Sequence, residues 1–236
     1  MNDHEDVDEI VRPRLPESVG SRRVIVVLRS RNPVQLDAVV DVLVEEGFEA
    51  IELALTTPDA LSMLRRLGQR LGSKVSLGAG TVTTADRAAA AIDAGAGYLL
   101  APTLALEACA VATGQGVPFV PGALTPTEAL AGWESGAAAV KLFPASLLGP
   151  DVVPALRAPM PELQFIPTGG IDAPAAARWL SRGVLAVGVG GPLVGDALEG
   201  GDLEALRSRA RALADCIAEA HAPAAASTAR PNGLAQ

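Results

Sequence analysis

Lys141 lies inside AAAVKLFP, residues 137–144, a run that is apolar nearly from end to end. Desolvating an ammonium is costly, so a lysine here either snorkels to water, pairs with a carboxylate, or has a chemical task. Burial favours the uncharged amine, and an uncharged amine is the nucleophile that turns a ketone into an imine. Glu52 occupies a second such run, AIELAL at 50–55, with apolar neighbours on both sides. It reads either as the counter-charge of a buried lysine or as a carboxylate that moves protons near neutral pH. The two readings are compatible, since a lysine–glutamate pair is both a charge match and an acid–base couple.

For these two side chains to meet, the fold must bring distant runs together. Short β-rich apolar runs recur at a near-constant interval: 24–28, 50–55, 74–80, 97–101, 117–122, 138–143, 163–170 and 184–191. Between them lie helical patterns, among them VQLDAVVDVLVEEG, DALSMLRRLGQRLG, ADRAAAAIDAG and TEALAGWESG, several closing on a glycine (Gly47, Gly95, Gly136, Gly183) as left-handed helix caps do. Eight strands alternating with helices predict a single-domain α/β chain folded as a (β/α)₈ TIM barrel. An open doubly wound sheet is the alternative; no GxGxxG follows the first strand to support dinucleotide binding. The expected organisation is a leader over 1–22, helical or disordered, a barrel over 23–221, and a low-complexity, disordered tail over 222–236.

In a barrel, functional groups gather where strands end. Those positions supply Arg29 after the first run, Thr81 in GAGT after the third, Pro102 after the fourth, Phe143 beside Lys141, and Thr168 in PTGG. The guanidinium of Arg29 suits a carboxylate or phosphate. Gly169 and Gly170 end the seventh run, and Gly190 and Gly191 end the eighth. Bare backbone N–H groups there, with a short helix begun by Pro192, form the phosphate site many barrels use; ordinary tight turns are the plainer reading.

The bulk numbers narrow the class. A formal net charge of −8 argues against a nucleic-acid binder, which presents a basic face. Cys109 and Cys216 form no metal-ligand spacing, and the histidines, His4 and His221, lie in terminal segments, so neither a metal centre nor a Ser-His-Asp triad is expected. No apolar stretch reaches the ~20 residues that span a bilayer, and the acidic N-terminus is no secretory signal. A cytoplasmic protein with no membrane partner is expected.

ELALTTPDA, GAGTVT, VPFVPGALTPTE, KLFPASLLGP, FIPTGGI and LAVGVGG, in this order, resemble the 2-keto-3-deoxy-6-phosphogluconate / 4-hydroxy-2-oxoglutarate aldolases from about Arg23 to Ala218. The resemblance implies a class I aldolase that takes a small 2-keto acid, assembles as a homotrimer and needs no cofactor or metal. It implies that Lys141 forms the Schiff base and Glu52 handles proton transfers. Arg29 and Thr81 would hold the pyruvyl end, Pro102 and Phe143 line the pocket, Thr168 contacts the substrate further out, and Gly169, Gly170, Gly190 and Gly191 lie toward a phosphate. Two positions depart from the family pattern: Thr56 stands where many members carry arginine, and Gly191 where many carry serine. Both remove anion contacts, which leaves an unphosphorylated or different 2-keto acid as the alternative substrate. A phosphate-binding isomerase or synthase and a non-catalytic barrel are the alternatives from other classes.

Overall fold

The computed structural model describes residues 12–221. After α1 (Glu17–Arg22), strands and helices alternate: β1 (Val24–Leu28), α2 (Leu36–Glu45), β2 (Ala50–Ala54), α3 (Ala60–Leu71), β3 (Ser76–Gly80), α4 (Ala85–Asp93), β4 (Tyr98–Leu100) and α5 (Leu106–Gly114). The second half runs β5 (Phe119–Val120), β6 (Gly122–Ala123), α6 (Pro126–Glu134), β7 (Lys141–Leu142), α7 (Val152–Arg157), α8 (Ala173–Leu180), β8 (Val187–Val189), α9 (Gly191–Val194) and α10 (Leu203–His221). The helices form where the pattern says they should. In α2 the buried Leu36, Val39, Val40 and Leu43 follow the i, i+3, i+4, i+7 stripe, and Thr125 with Glu128 closes a capping box on α6. Gly47, Gly95, Gly136 and Gly183 all take positive φ, between 75° and 91°.

All strand pairs are parallel. One sheet has the order β5-β4-β3-β2-β1-β8, and β6 pairs with β7. The result is an α/β fold with a curled parallel sheet. Two expected strands are interrupted, each by a proline, which has no N–H to give to a ladder. Pro121 divides the 117–122 run into β5 and β6. The 163–170 run, expected as a strand, contributes only bridges at Phe165 and Thr168, on either side of Pro167. Its backbone bonds still connect β7 to β8: Ile166 N–H donates to Val140 O at 2.9 Å, Thr168 N–H to Leu142 O at 2.9 Å, and Gly188 N–H to Pro167 O at 2.8 Å.

Two apolar layers result. Outside the sheet, residues such as Val26, Leu53, Leu99 and Phe165 pack against the helices. Inside, Ile25, Ala50, Tyr98, Val120, Ala139, Ile166 and Ala186 form a separate cluster that also includes Val19 of α1. The leader thus plugs the end of the curled sheet from which the strands start. It is held there by Arg12, whose guanidinium sits 3.9 Å from the Trp133 ring centroid and donates to Ala137 O at 3.1 Å. The tail expected over 222–236 and the first eleven residues of the leader lie outside the described residues. Among the described residues no helix is long and apolar enough to cross a membrane.

Candidate active site

Side chains alternate across a strand, so register decides which residues share the inner face. Val27 aligns with Glu52, Glu52 with Gly78, and Gly78 with Tyr98; across the gap, Lys141 aligns with Gly122. Lys141 Nζ and Glu52 Oε2 are 3.6 Å apart, with side chains only 4 % and 1 % exposed. The two distant apolar runs therefore do meet. Neither oxygen of Glu52 makes a hydrogen bond among the described residues.

The glycines of GAGT explain how a carboxylate fits there. A Cβ on Gly80 would fall 1.7 Å from Glu52 Oε1, so only glycine at that position leaves room for the side chain to lean across β3. At the next residue Thr81 holds a left-handed backbone with φ of 62°, an uncommon conformation for a residue with a branched Cβ. Such strain concentrates at functional sites. Its hydroxyl accepts a hydrogen bond from Arg29 Nη2 at 3.2 Å, which orients the guanidinium at the exposed mouth.

A cavity of about 180 Å³ opens at the C-terminal ends of the strands. It is lined by Arg29, Lys141, Phe143, Thr168, Gly169, Gly170, Gly190 and Gly191, together with Val27, Val194 and Gly195. Lys141 Nζ lies 5.6 Å from the Phe143 ring centroid. Thr168, nearly buried, rests over Gly188, where a Cβ would come within 2.3 Å of its hydroxyl oxygen. Gly169 and Gly170 adopt φ of 101° and 74° and line the cavity with backbone alone. Among the described residues no cluster of three or more His, Cys, Asp or Glu could hold a metal ion.

Most of the expected residues thus line one cavity. Glu52 and Thr81 stand one contact behind it, through Lys141 and Arg29 respectively. Pro102 is set apart from the lining and instead packs its backbone against Gly122, the register partner of Lys141. Val27, Val194 and Gly195 were missed. Val27 was legible in principle, two positions before Arg29 on the inner face of β1; Val194 and Gly195 carry no chemical signal. Tyr98, buried on the same row as Glu52, was also missed.

Known proteins give this geometry a context. The family described as "Aldolase: KDPG and KHG aldolase" matches residues 16–208. A probable 2-dehydro-3-deoxy-6-phosphogalactonate aldolase of Rhizobium meliloti (strain 1021) is 33 % identical over 206 residues, covering 87 % of this chain and 95 % of the relative. A solved structure described as native KDPGal superposes with a TM-score of 0.78 at 30 % identity, over 84 % of this chain and 95 % of the other. A KDPG aldolase from Legionella pneumophila, solved with pyruvate captured at low pH as a covalent carbinolamine intermediate, superposes with a TM-score of 0.75 at 25 % identity, over 85 % and 95 % of the two chains. With the family match spanning most of its length, and with a buried lysine–glutamate pair at the strand ends, this chain belongs to the KDPG and KHG aldolases, a family of carbon–carbon lyases.

Proposed function

We propose that the protein is a class I aldolase that cleaves a phosphorylated 2-keto-3-deoxy sugar acid to pyruvate and an aldehyde through an imine on Lys141. The observation that carries this is the buried Lys141–Glu52 pair, 3.6 Å apart, opening onto the 180 Å³ cavity. A carboxylate kept only as a counter-charge would have its other lone pairs satisfied, because a buried ion pair offsets its desolvation only when fully bonded. Glu52 leaves them open.

In this reading Glu52 takes the proton of the Lys141 ammonium, and the free amine adds to the C2 ketone. Glu52 returns protons as the carbinolamine forms and loses water, giving a protonated imine. The C4 hydroxyl then passes its proton to Glu52, the C3–C4 bond breaks, and its electron pair flows into the imine to leave an enamine. The aldehyde departs. Protonation at C3 and hydrolysis release pyruvate and restore the amine. Arg29, oriented by Thr81, suits the substrate carboxylate, and Thr168 a hydroxyl further along the chain. Phe143 supplies apolar wall, with Pro102 packed behind it against Gly122. Gly169, Gly170, Gly190 and Gly191 form the end suited to phosphate, with bare N–H groups and the start of α9 beginning at Gly191 and Pro192. The hydrogen bonds that carry β7 through 165–168 to β8 support a closed eight-stranded barrel over 23–221. The family precedent supports a homotrimer in the cytoplasm.

Borohydride added with pyruvate is expected to fix a stable mass gain on Lys141, read by peptide mass spectrometry. An unmodified Lys141 under those conditions sinks the imine. The phosphate end has its own test. A Cβ at Gly191 meets nothing within 4 Å, so Gly191→Ser fits without strain. Its hydroxyl is expected to lower KM for a 6-phosphorylated substrate by about tenfold, leaving KM for 4-hydroxy-2-oxoglutarate unchanged. Equal effects on both substrates would move the phosphate away from these glycines.

A further inference from the structure

Tyr98 is the single tyrosine of the chain and is fully buried on β4. Its register partner on β3 is Gly78, whose own partner on β2 is Glu52. The middle position of this inward row has no side chain, and the phenol ring fills the space: a Cβ on Gly78 would lie 2.5 Å from Tyr98 Cζ. The hydroxyl carried by Cζ therefore extends past Gly78 toward β2. Glu52 leans in turn over Gly80, two residues along β3. Inward positions two apart on a strand are separated by about 6.6 Å. Phenol and carboxylate thus share the small volume above two neighbouring glycines.

Both groups are unsatisfied. The Tyr98 hydroxyl and both Glu52 oxygens are buried without a hydrogen bond among the described residues. Buried polar groups normally have partners, and an orphan costs more than a bond gains. These two orphans are chemical complements, since a phenol donates and a carboxylate only accepts. Burial first, and then the charge of Glu52, pushes the phenol well above its usual range, so it remains a protonated donor.

The geometry points to Tyr98 as a positioning residue whose phenol faces the Glu52 carboxylate from beneath and holds it toward Lys141. This rests on the reading of Glu52 as the proton-transfer group. Among the described residues, the titratable and charged groups around Glu52 are Lys141 from β7 and Tyr98 from β4, with Arg29 further out at the mouth after β1; β3 presents Gly78 and Gly80 beside it.

Tyr98→Phe keeps the ring and removes only the donor. It is expected to lower kcat by about tenfold with KM unchanged, while borohydride still traps pyruvate on Lys141. A mere space-filling tyrosine would leave kcat unchanged. Because there is one tyrosine, uniform 3-fluorotyrosine labelling reports this site alone by fluorine NMR. Its resonance is expected to shift when Glu52→Gln removes the facing charge. A resonance indifferent to Glu52→Gln overturns the proposal even if Tyr98→Phe fails to fold. If Glu52→Gln keeps full turnover, the reading of Glu52 fails instead; if turnover drops while the resonance stays where it was, only the role of Tyr98 fails.

Discussion

Lys141→Met is expected to abolish borohydride trapping of pyruvate and to cut turnover by about 10⁴-fold or more, because among the described residues no other amine lines the cavity to form the imine. Methionine keeps the length and fills the same apolar slot between Gly122 and Phe143. The cost to stability has a definite sign. Removing one partner of a buried pair leaves the other uncompensated, which typically costs about 3–5 kcal/mol. Thermal melting should therefore drop in Lys141→Met and recover in part when Glu52→Gln is added, while turnover stays lost. Calorimetry of the single and double variants beside a pyruvate-release assay checks both. Turnover of Lys141→Met within tenfold of the parent would assign the chemistry elsewhere.

Glu52→Gln has the second-largest expected effect. The amide matches the carboxylate in shape, so it still fits above Gly80, but it cannot take a proton. Every proton transfer around the imine is slowed. A fall in kcat of about 10²- to 10³-fold is expected, with KM little changed, as for loss of a general acid–base. The imine itself should still form, more slowly, and be captured by borohydride. That split between residual trapping and lost turnover separates a proton-transfer group from a counter-charge. If trapping and turnover fall together only as much as folded protein is lost, Glu52 is a charge partner and nothing more.

That Lys141 and Glu52 belong together was legible in the sequence. Lys141 and Glu52 stood out because a charge inside an apolar run is improbable unless something uses it, and that argument does not depend on knowing the fold. The strand–helix rhythm was equally plain. Where the reading went astray, the cause was hydrogen-bond supply: Pro121 and Pro167 sit in runs whose side chains alternate like a strand, yet each withholds an N–H, so the ladder breaks locally while the chain keeps its course. Tyr98 was illegible for a different reason. GYLLA reads as ordinary interior, and the tyrosine gains meaning only once register sets Gly78 between it and Glu52. Val194 and Gly195 line the cavity through backbone position alone.

The interior of the sheet is filled by loans across strands. Gly78 gives its space to Tyr98, Gly80 to Glu52, and Gly188 to Thr168. Each couple behaves as one inherited unit: a methyl group gained on the glycine side evicts the neighbour, so the two positions can change only together. Variation at these sites should arrive as matched pairs, and a chemistry change at Glu52 or Thr168 opens the adjoining glycine to drift. The freedom of this scaffold to acquire new substrates is thus set by its smallest residues as much as by its reactive ones.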